Sequence, residues 1–594
     1  MPSTEETTAT GGDGQGAPPP AGRSGWQAAA RRYGPIALVA ALVGAAVLVF
    51  GRGGGDDDDG DGQAAGGAAS SEEELILSGP MTPQKAELEG ETDVDFGPHC
   101  DPETGKLRLP TIYAAPCVVP FDGDNGGATS PGVTADTVKI IGYLSDPAID
   151  PVGASLIAGA GANISPDAAA ETMRDYADVF NSEFETYGRR VELHFYSGTG
   201  AADDETAARA DAIAIADQEP FAVLGGPLQV QAPFSEELAA RGVISFPSQP
   251  LPQSVTVENY PMIWGVITPT QAATLAAEAI GKLAGPGRAE LAGDPELREQ
   301  ERAYAVVHYD TADGGHQESF DALRDGLADQ GVDLATDIGF ILDANRAQEA
   351  ARTMVTQLKE ARVTTVIFTG DFLMPQFLTT EATAQDYSPE WILGPSFLAD
   401  TAFWGRTFDQ QQWGNGFAIG YAGTPGETED GTSYTIYTWA YGEDPPSNIY
   451  TVLEPSVREV FTGIQLAGPE LTPETFRDGL LRFPPTGGGP TRPLISRGDR
   501  GIWPEFDYGG APDQITLMWW DPEAETVDEV GNPGVGSYRF ANRGERYRPG
   551  ELRDSIEDAG LFDEASSIIE YDELPEEDRP PEYEPPDLVG AGGE

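Results

Sequence analysis

Between Thr137 and Gly265, strand-length apolar runs alternate with amphipathic stretches, and Gly or Pro punctuates most of the changes. Thr137–Leu144, Val191–Tyr196, Phe221–Leu224 and Val243–Phe246 are the runs. Ser165–Tyr187 carries Ala169, Met173, Tyr176, Ala177, Phe180 and Phe184 at helical spacing. Asp204–Asp217 and Val230–Arg241 also read as helices. Such alternation builds βαβ units around a parallel sheet. The strands lack a clean in/out pattern, so both sheet faces are expected to be covered. Ligands of these sheets bind beyond the carboxyl ends of the strands. The loops 145–151, 197–201, 225–231 and 247–253 therefore share one rim, which holds Ser145, Gln229, Ser248 and Gln249.

The rhythm then restarts. Thr268–Leu283 is a helix, 285–301 a charged Pro/Gly insertion, and Ala303–Tyr309 a strand with a helix after it through Leu327. Leu334–Leu342, Thr364–Phe368 and Trp391–Gly394 are further strands, with a helix at Ala347–Ala361. Their ends place Tyr309, Asp371, Phe372 and Ser396 on a second rim. After Trp413 the chain is expected to cross back. Two helices (Ile449–Leu466 and Thr472–Leu481) follow, then a late β segment at Gln514–Trp520 and Gly536–Phe540.

The net charge of −63 leaves no basic stripe for phosphates, so nucleic acid is excluded as a partner. The acidic surface reads as a solvated coat. No Gly-x-Ser-x-Gly elbow, phosphate loop or His-Glu-x-x-His helix occurs, so no enzyme, cofactor or metal is expected. Cys100 and Cys117 are the two cysteines, and outside the cell they should pair. Closing that loop is worth about 3 kcal/mol.

Met1–Arg32 is small, polar and expected to be disordered. Pro35–Phe50 is apolar and, with its neighbours, long enough for a transmembrane signal anchor over 33–51. Arg31 and Arg32 precede it and Asp56–Asp59 follow, which keeps the amino terminus in the cytoplasm. The expected layout continues with a flexible linker (52–75) and an irregular, disulfide-containing extension (76–135). Lobe 1 spans 136–266 plus roughly 420–490, and lobe 2 spans 267–419 plus roughly 491–560. An acidic, Pro-rich, disordered tail occupies 561–594.

Four stretches, Val138–Ser145, Ala222–Pro227, Val243–Ser248 and Val366–Phe372, together with the doubled α/β design, resemble the type I periplasmic binding proteins. The nearest group is the branched-chain amino acid binding components of ABC importers. The ending Leu517-Met-Trp-Trp-Asp-Pro522 is similar to a variant found in actinobacterial, membrane-anchored substrate-binding proteins. The resemblance implies two lobes of helix-flanked parallel sheet that close on a small solute, with ABC permease subunits as partners. It places Ser145, Gln229, Ser248 and Gln249 on the first-lobe wall, and Tyr309, Asp371, Phe372 and Ser396 on the second.

The chain departs from the family at two points. Leu228-Gln229-Val230-Gln231 stands where the family has a Ser/Thr-rich loop, and Ser396 where it has an ammonium-binding Glu. Asp371 is the acid that could replace that charge. An amino acid, an amide and a neutral polar solute all stay open. So do two alternatives to an importer component: a ligand-sensing ectodomain, and a cell-surface module with a degenerate pocket.

Overall fold

The computed structural model describes residues 72–586 and 588, apart from 147–148, 150–164, 202–203, 228–229, 266, 311–315, 342–345, 397–398, 499–512 and 529–531. The expected cytoplasmic segment and anchor lie outside these residues. No helix among the described residues is long and apolar enough to cross a membrane.

Two sheets organise the chain. The first holds β1 (Thr137–Leu144), β2 (Arg190–Ser197), β3 (Ala222–Leu224) and β4 (Ile244–Phe246), in the order β2-β1-β3-β4 and all parallel. The second begins with the same order. There β5 (Tyr304–Tyr309), β6 (Leu334–Phe340), β7 (Thr365–Thr369), β8 (Glu390–Leu393) and β9 (Gly416–Gly420) run parallel as β6-β5-β7-β8-β9. The late strands β10 (Ile515–Val527) and β11 (Pro533–Phe540) extend it antiparallel, and β12 (Arg546–Tyr547) pairs with β10. In both sheets the strand order reverses beside the first strand, β1 or β5. Crevices for ligands open at such reversals.

Each sheet has its own core. Ile140, Phe180, Leu224 and Phe246 pack with Phe461 and Phe476, which come from helices Tyr450–Ala467 and Pro473–Arg482. In the second sheet Val307, Phe368, Leu393, Met518 and Trp520 cover one face, while Ile367, Ile419, Leu517 and Trp519 cover the other. The alternation of 517/519 with 518/520 is the strand period, and both faces are apolar because both are covered. The chain therefore passes between the cores at 265–268, 421–431 and 483–514. β9 and helices Met374–Ala384 and Thr432–Tyr441 are elements the sequence reading did not assign.

Two short helices, Glu72–Ser78 and Pro83–Glu89, precede the disulfide, and the first of them starts within the segment expected to be a flexible linker. Cys100 and Cys117 are bonded. Leu107, Leu109, Ala114 and Ala115 join the first-lobe core. Arg189 ties the region down by donating to the carbonyls of Thr134 and Pro469, each at 2.8 Å.

One expectation is corrected outright. The segment from 561 onward was expected to be disordered, but as far as Pro586 it is laid against the rest of the protein. Ile568 and Phe540 exchange backbone hydrogen bonds, and Tyr571 N donates to the Pro425 carbonyl at 2.9 Å. Asp578 accepts from Thr491 N and Oγ1 at 2.7 and 2.8 Å. Trp439 Nε1 donates to the Tyr583 carbonyl, and the Tyr583 hydroxyl donates to Asp101. The acidic composition hid a few well-placed apolar side chains; Leu561, Tyr571 and Leu574 are buried.

Candidate functional site

The first-lobe wall is set by a side chain that the sequence reading passed over. Gln231 begins helix Gln231–Ala239 and is buried. Its Oε1 accepts from Gln249 N at 3.2 Å and from Ser248 Oγ at 3.3 Å. The amide thereby holds the loop after β4 against the loop after β3. Because the Gln249 N–H needs an acceptor, the amide cannot be turned round, and Nε2 is left without a partner. Gly226 lets this happen: a Cβ there would lie 2.7 Å from Gln231 Nε2. Ser248 and Ser145 are exposed, while Gln249 is half-buried. Gln229 lies outside the described residues.

In the second lobe, β5, β7 and β8 end together. A Cβ on Gly370 would fall 2.8 Å from Tyr309 Cβ, so glycine allows the end of β7 to close on the end of β5. Ser396 Oγ accepts from Gly370 N at 3.3 Å, linking the β8 loop to the β7 loop. The Tyr309 ring stands edge-on to His316 at 5.0 Å between centroids.

Asp371 is buried. Its Oδ1 accepts from Leu373 N at 2.7 Å and Met374 N at 2.9 Å, which caps helix Met374–Ala384. Its Oδ2 has no partner among the described residues. Burial pushes the carboxyl up to about 6, against the opposing pull of the two N–H donors. A folded value raised above the ordinary 3.8 means that ionisation costs stability. The cost is absent below about pH 4 and complete above about pH 6. Asp371→Asn keeps the cap acceptor and removes the charge. It should be more stable than the natural chain by roughly 2–3 kcal/mol at pH 8, with the gap closing towards pH 4. Urea titrations at the two pH values measure it; an equal gap at both would contradict the account.

Phe372 does not take the place expected of it. Its ring is buried in the second-lobe core, 4.2 Å from the Trp404 ring, and is not available to a solute. Backbone direction decides this: Asp371 turns into the cap and carries residue 372 inward.

The lobes touch where the helices after β4 and β5 meet. In helix Gln253–Glu258, Ser254 donates through Oγ (2.8 Å) and N (3.3 Å) to Glu318 Oε2 of helix Gln317–Asp329. Thr270 Oγ1 reaches Glu318 Oε1 at 3.4 Å. Both helices follow strand carboxyl ends, those of β4 and β5. No group of three or more His, Cys, Asp or Glu suited to a metal is found among the described residues.

An α/β protein of two lobes, linked by several chain crossings and carrying paired rims, is what these features define. No family model matches the chain, and no curated protein does. Among solved structures it is similar to an ABC transporter substrate-binding protein from Sphaerobacter thermophilus, at 14% identity and TM-score 0.48, covering 71% of this chain and 100% of that one. It is similar to a putative branched-chain amino acid ABC transporter protein from Rhodospirillum rubrum, at 16% identity and TM-score 0.43, covering 67% and 99%. A third is a solute-binding protein from Rhodopseudomonas palustris HaA2 in complex with p-hydroxybenzoic acid, at 11% identity and TM-score 0.46, covering 70% and 98%. Likenesses of this size assign no ligand and no residue role.

Proposed function

We propose that this chain is the membrane-anchored, extracellular solute-binding component of an ABC-type importer, not an enzyme. It captures a small polar solute between its lobes by hinge closure and presents it to permease subunits. The observation that carries the reading is the pairing of two separately cored parallel sheets of the same strand order. They are joined by several chain crossings, and the helices after β4 and β5 meet at Ser254–Glu318. Two lobes joined by chain crossings can close around a ligand by hinge bending. The apolar run over 33–51, with Arg on one side and Asp on the other, supports a single-pass anchor with the binding domain outside the cell. Tethering keeps the binding site close to its permease at high effective concentration.

In this reading the solute meets Ser145, Gln229, Ser248 and Gln249 on one side, and Tyr309, Asp371 and Ser396 on the other. The orphan Oδ2 of Asp371 is the group that an ammonium or amide donor would satisfy. The test is a thermal-shift screen of amino acids, amides, ureas, sugars and aromatic carboxylates, followed by small-angle scattering with any hit. A true solute at a hundred times its dissociation constant adds about 2.7 kcal/mol, and the particle contracts. Loss of the hit in Asp371→Asn would mark a donor-bearing solute. No hit and no contraction across the library would leave a surface module in place of an importer component.

A further inference from the structure

Residues 561–586 run from lobe 2 to lobe 1 by way of the crossings, and they are pinned at each stage. On lobe 2, Ile568 and Phe540 exchange backbone hydrogen bonds of 2.7 and 3.1 Å at the end of β11. At the 421–431 crossing, Tyr571 N donates to the Pro425 carbonyl at 2.9 Å. The Tyr571 hydroxyl donates to the Arg543 carbonyl at 2.7 Å, on the loop after β11. At the 483–514 crossing, Asp578 accepts from Thr491 N and Oγ1. On lobe 1, Trp439 Nε1 donates to the Tyr583 carbonyl at 2.9 Å, and the Tyr583 hydroxyl donates to Asp101 Oδ2 at 2.8 Å.

Hinge closure turns one lobe against the other by rotating the backbone of a few linking residues. The 483–514 crossing contains Gly487-Gly488-Gly489, with φ +96° at Gly487 and +108° at Gly488. Glycine rotates there at the least steric cost. Asp578 sits directly on this stretch: a Cβ on Gly489 would lie 2.0 Å from Asp578 Oδ1. The two crossings are also laced to each other. Thr424 N donates to the Pro490 carbonyl at 2.9 Å, and Arg492 donates to the Asp430 carbonyl. A tail packed on one lobe would add stability without touching the links. This one divides its anchors between both lobes and two crossings.

We propose that residues 561–586 are a hinge brace that confines the two lobes to a narrow range of angles. The proposal rests on the hinge-closure reading given above, and on no particular solute. Rotation of one lobe against the other pulls on Asp578 at Thr491, on Tyr571 at Pro425 and on Tyr583 at Trp439. Slack between these anchors is small, because they fall at positions 568, 571, 578 and 583. Tyr571, Leu574 and Asp578 are buried, so lifting the segment exposes them. A hinge already held to a narrow range loses less freedom when a solute closes it, which favours capture.

The test is a pulsed electron–electron distance measurement on the full chain, with spin labels at Ala240→Cys in lobe 1 and Ala328→Cys in lobe 2, both exposed positions. Cys100 and Cys117 are bonded to each other, so the introduced thiols take the label. The natural brace should give one narrow distance distribution. Asp578→Ala, which frees the glycine crossing, should widen it about twofold. Trp439→Phe combined with Tyr583→Phe, which frees the lobe 1 end, should widen it similarly. This pair keeps an aromatic ring at each position and keeps the test valid should Asp578→Ala fail to fold. Glu576→Ala, exposed between the anchors, should leave the width unchanged. The proposal is overturned by a width that neither release changes, by equal widening in Glu576→Ala, or by widening in Ser254→Ala alone, which would put the restraint at the Ser254–Glu318 contact. Scattering with solutes judges the importer reading separately. Widening on release with no solute found keeps the brace and removes the importer; a contracting solute complex with unchanged widths keeps the importer and removes the brace.

Discussion

Arg302→Ala is expected to cost the second lobe about 3–5 kcal/mol. Arg302 Nε donates to Glu390 Oε2 at 2.8 Å and Nη2 to Oε1 at 3.0 Å, with both side chains buried. Glu390 also accepts from Thr365 Oγ1 at 2.6 Å and from Leu291 N at 2.9 Å. Arg302 further donates to the Ala284 carbonyl. One ion pair therefore ties the end of helix Pro269–Leu283, the charged insertion, β7 and β8 together at the start of the sheet. The loss comes from what remains. Without the guanidinium, a buried carboxylate keeps two donors but no counter-charge. Replacing both partners (Arg302→Met with Glu390→Leu) removes the stranded charge and should recover most of the loss. Recovery stays incomplete because Thr365 and Leu291 then lack an acceptor. Urea unfolding of the two variants provides the measurement. A single Arg302 variant within about 0.5 kcal/mol of the natural chain would show that water reaches Glu390.

How far the sequence reading reached follows from where each signal is stored. The βαβ rhythm is local: short buried runs such as Ala222–Leu224 and Thr365–Thr369 stand out between Gly and Pro breaks. β9 was missed because Gly-Phe-Ala-Ile-Gly offers only three apolar residues between glycines. Its strand character comes from neighbours on both sides, Trp391–Leu393 and Thr516–Trp519, which are distant in sequence. The rim positions of Ser248, Gln249, Tyr309 and Ser396 could be read, because they are fixed by strand ends. The clamp by Gln231 could not, since it exists only once the 248–249 loop folds back over a residue 17 or 18 positions earlier. Asp371 carried a visible hint, an acid just ahead of a helix start. Its orphan oxygen and the inward turn of Phe372 are products of packing.

The carboxyl-terminal segment is the largest departure, and it gives the prediction of greatest reach. Ending the chain after Phe562 is expected to split one cooperative unfolding transition into two. Each lobe has its own core, so cooperativity between them depends on what bridges the crossings. The segment does so in order. Ile568 adds to the edge of β11, Tyr571 pairs with the 421–431 crossing, and Asp578 accepts from Thr491 in the 483–514 crossing. Tyr583 then reaches Trp439 and Asp101 on the first lobe. Burial of side chains such as Tyr571 and Leu574 is worth about 1.5–3 kcal/mol each, so roughly 3 kcal/mol or more of coupling disappears with the truncation. Calorimetry should then show two separated peaks, and proteolysis should become faster within 421–431. The full chain should melt as one unit. Asp578→Ala is the milder form: it leaves the segment in place but strands the Thr491 donors, and should broaden the transition without dividing it. A truncated chain that melts in a single peak at an unchanged temperature would mean that the helices meeting at Ser254 and Glu318 couple the lobes alone.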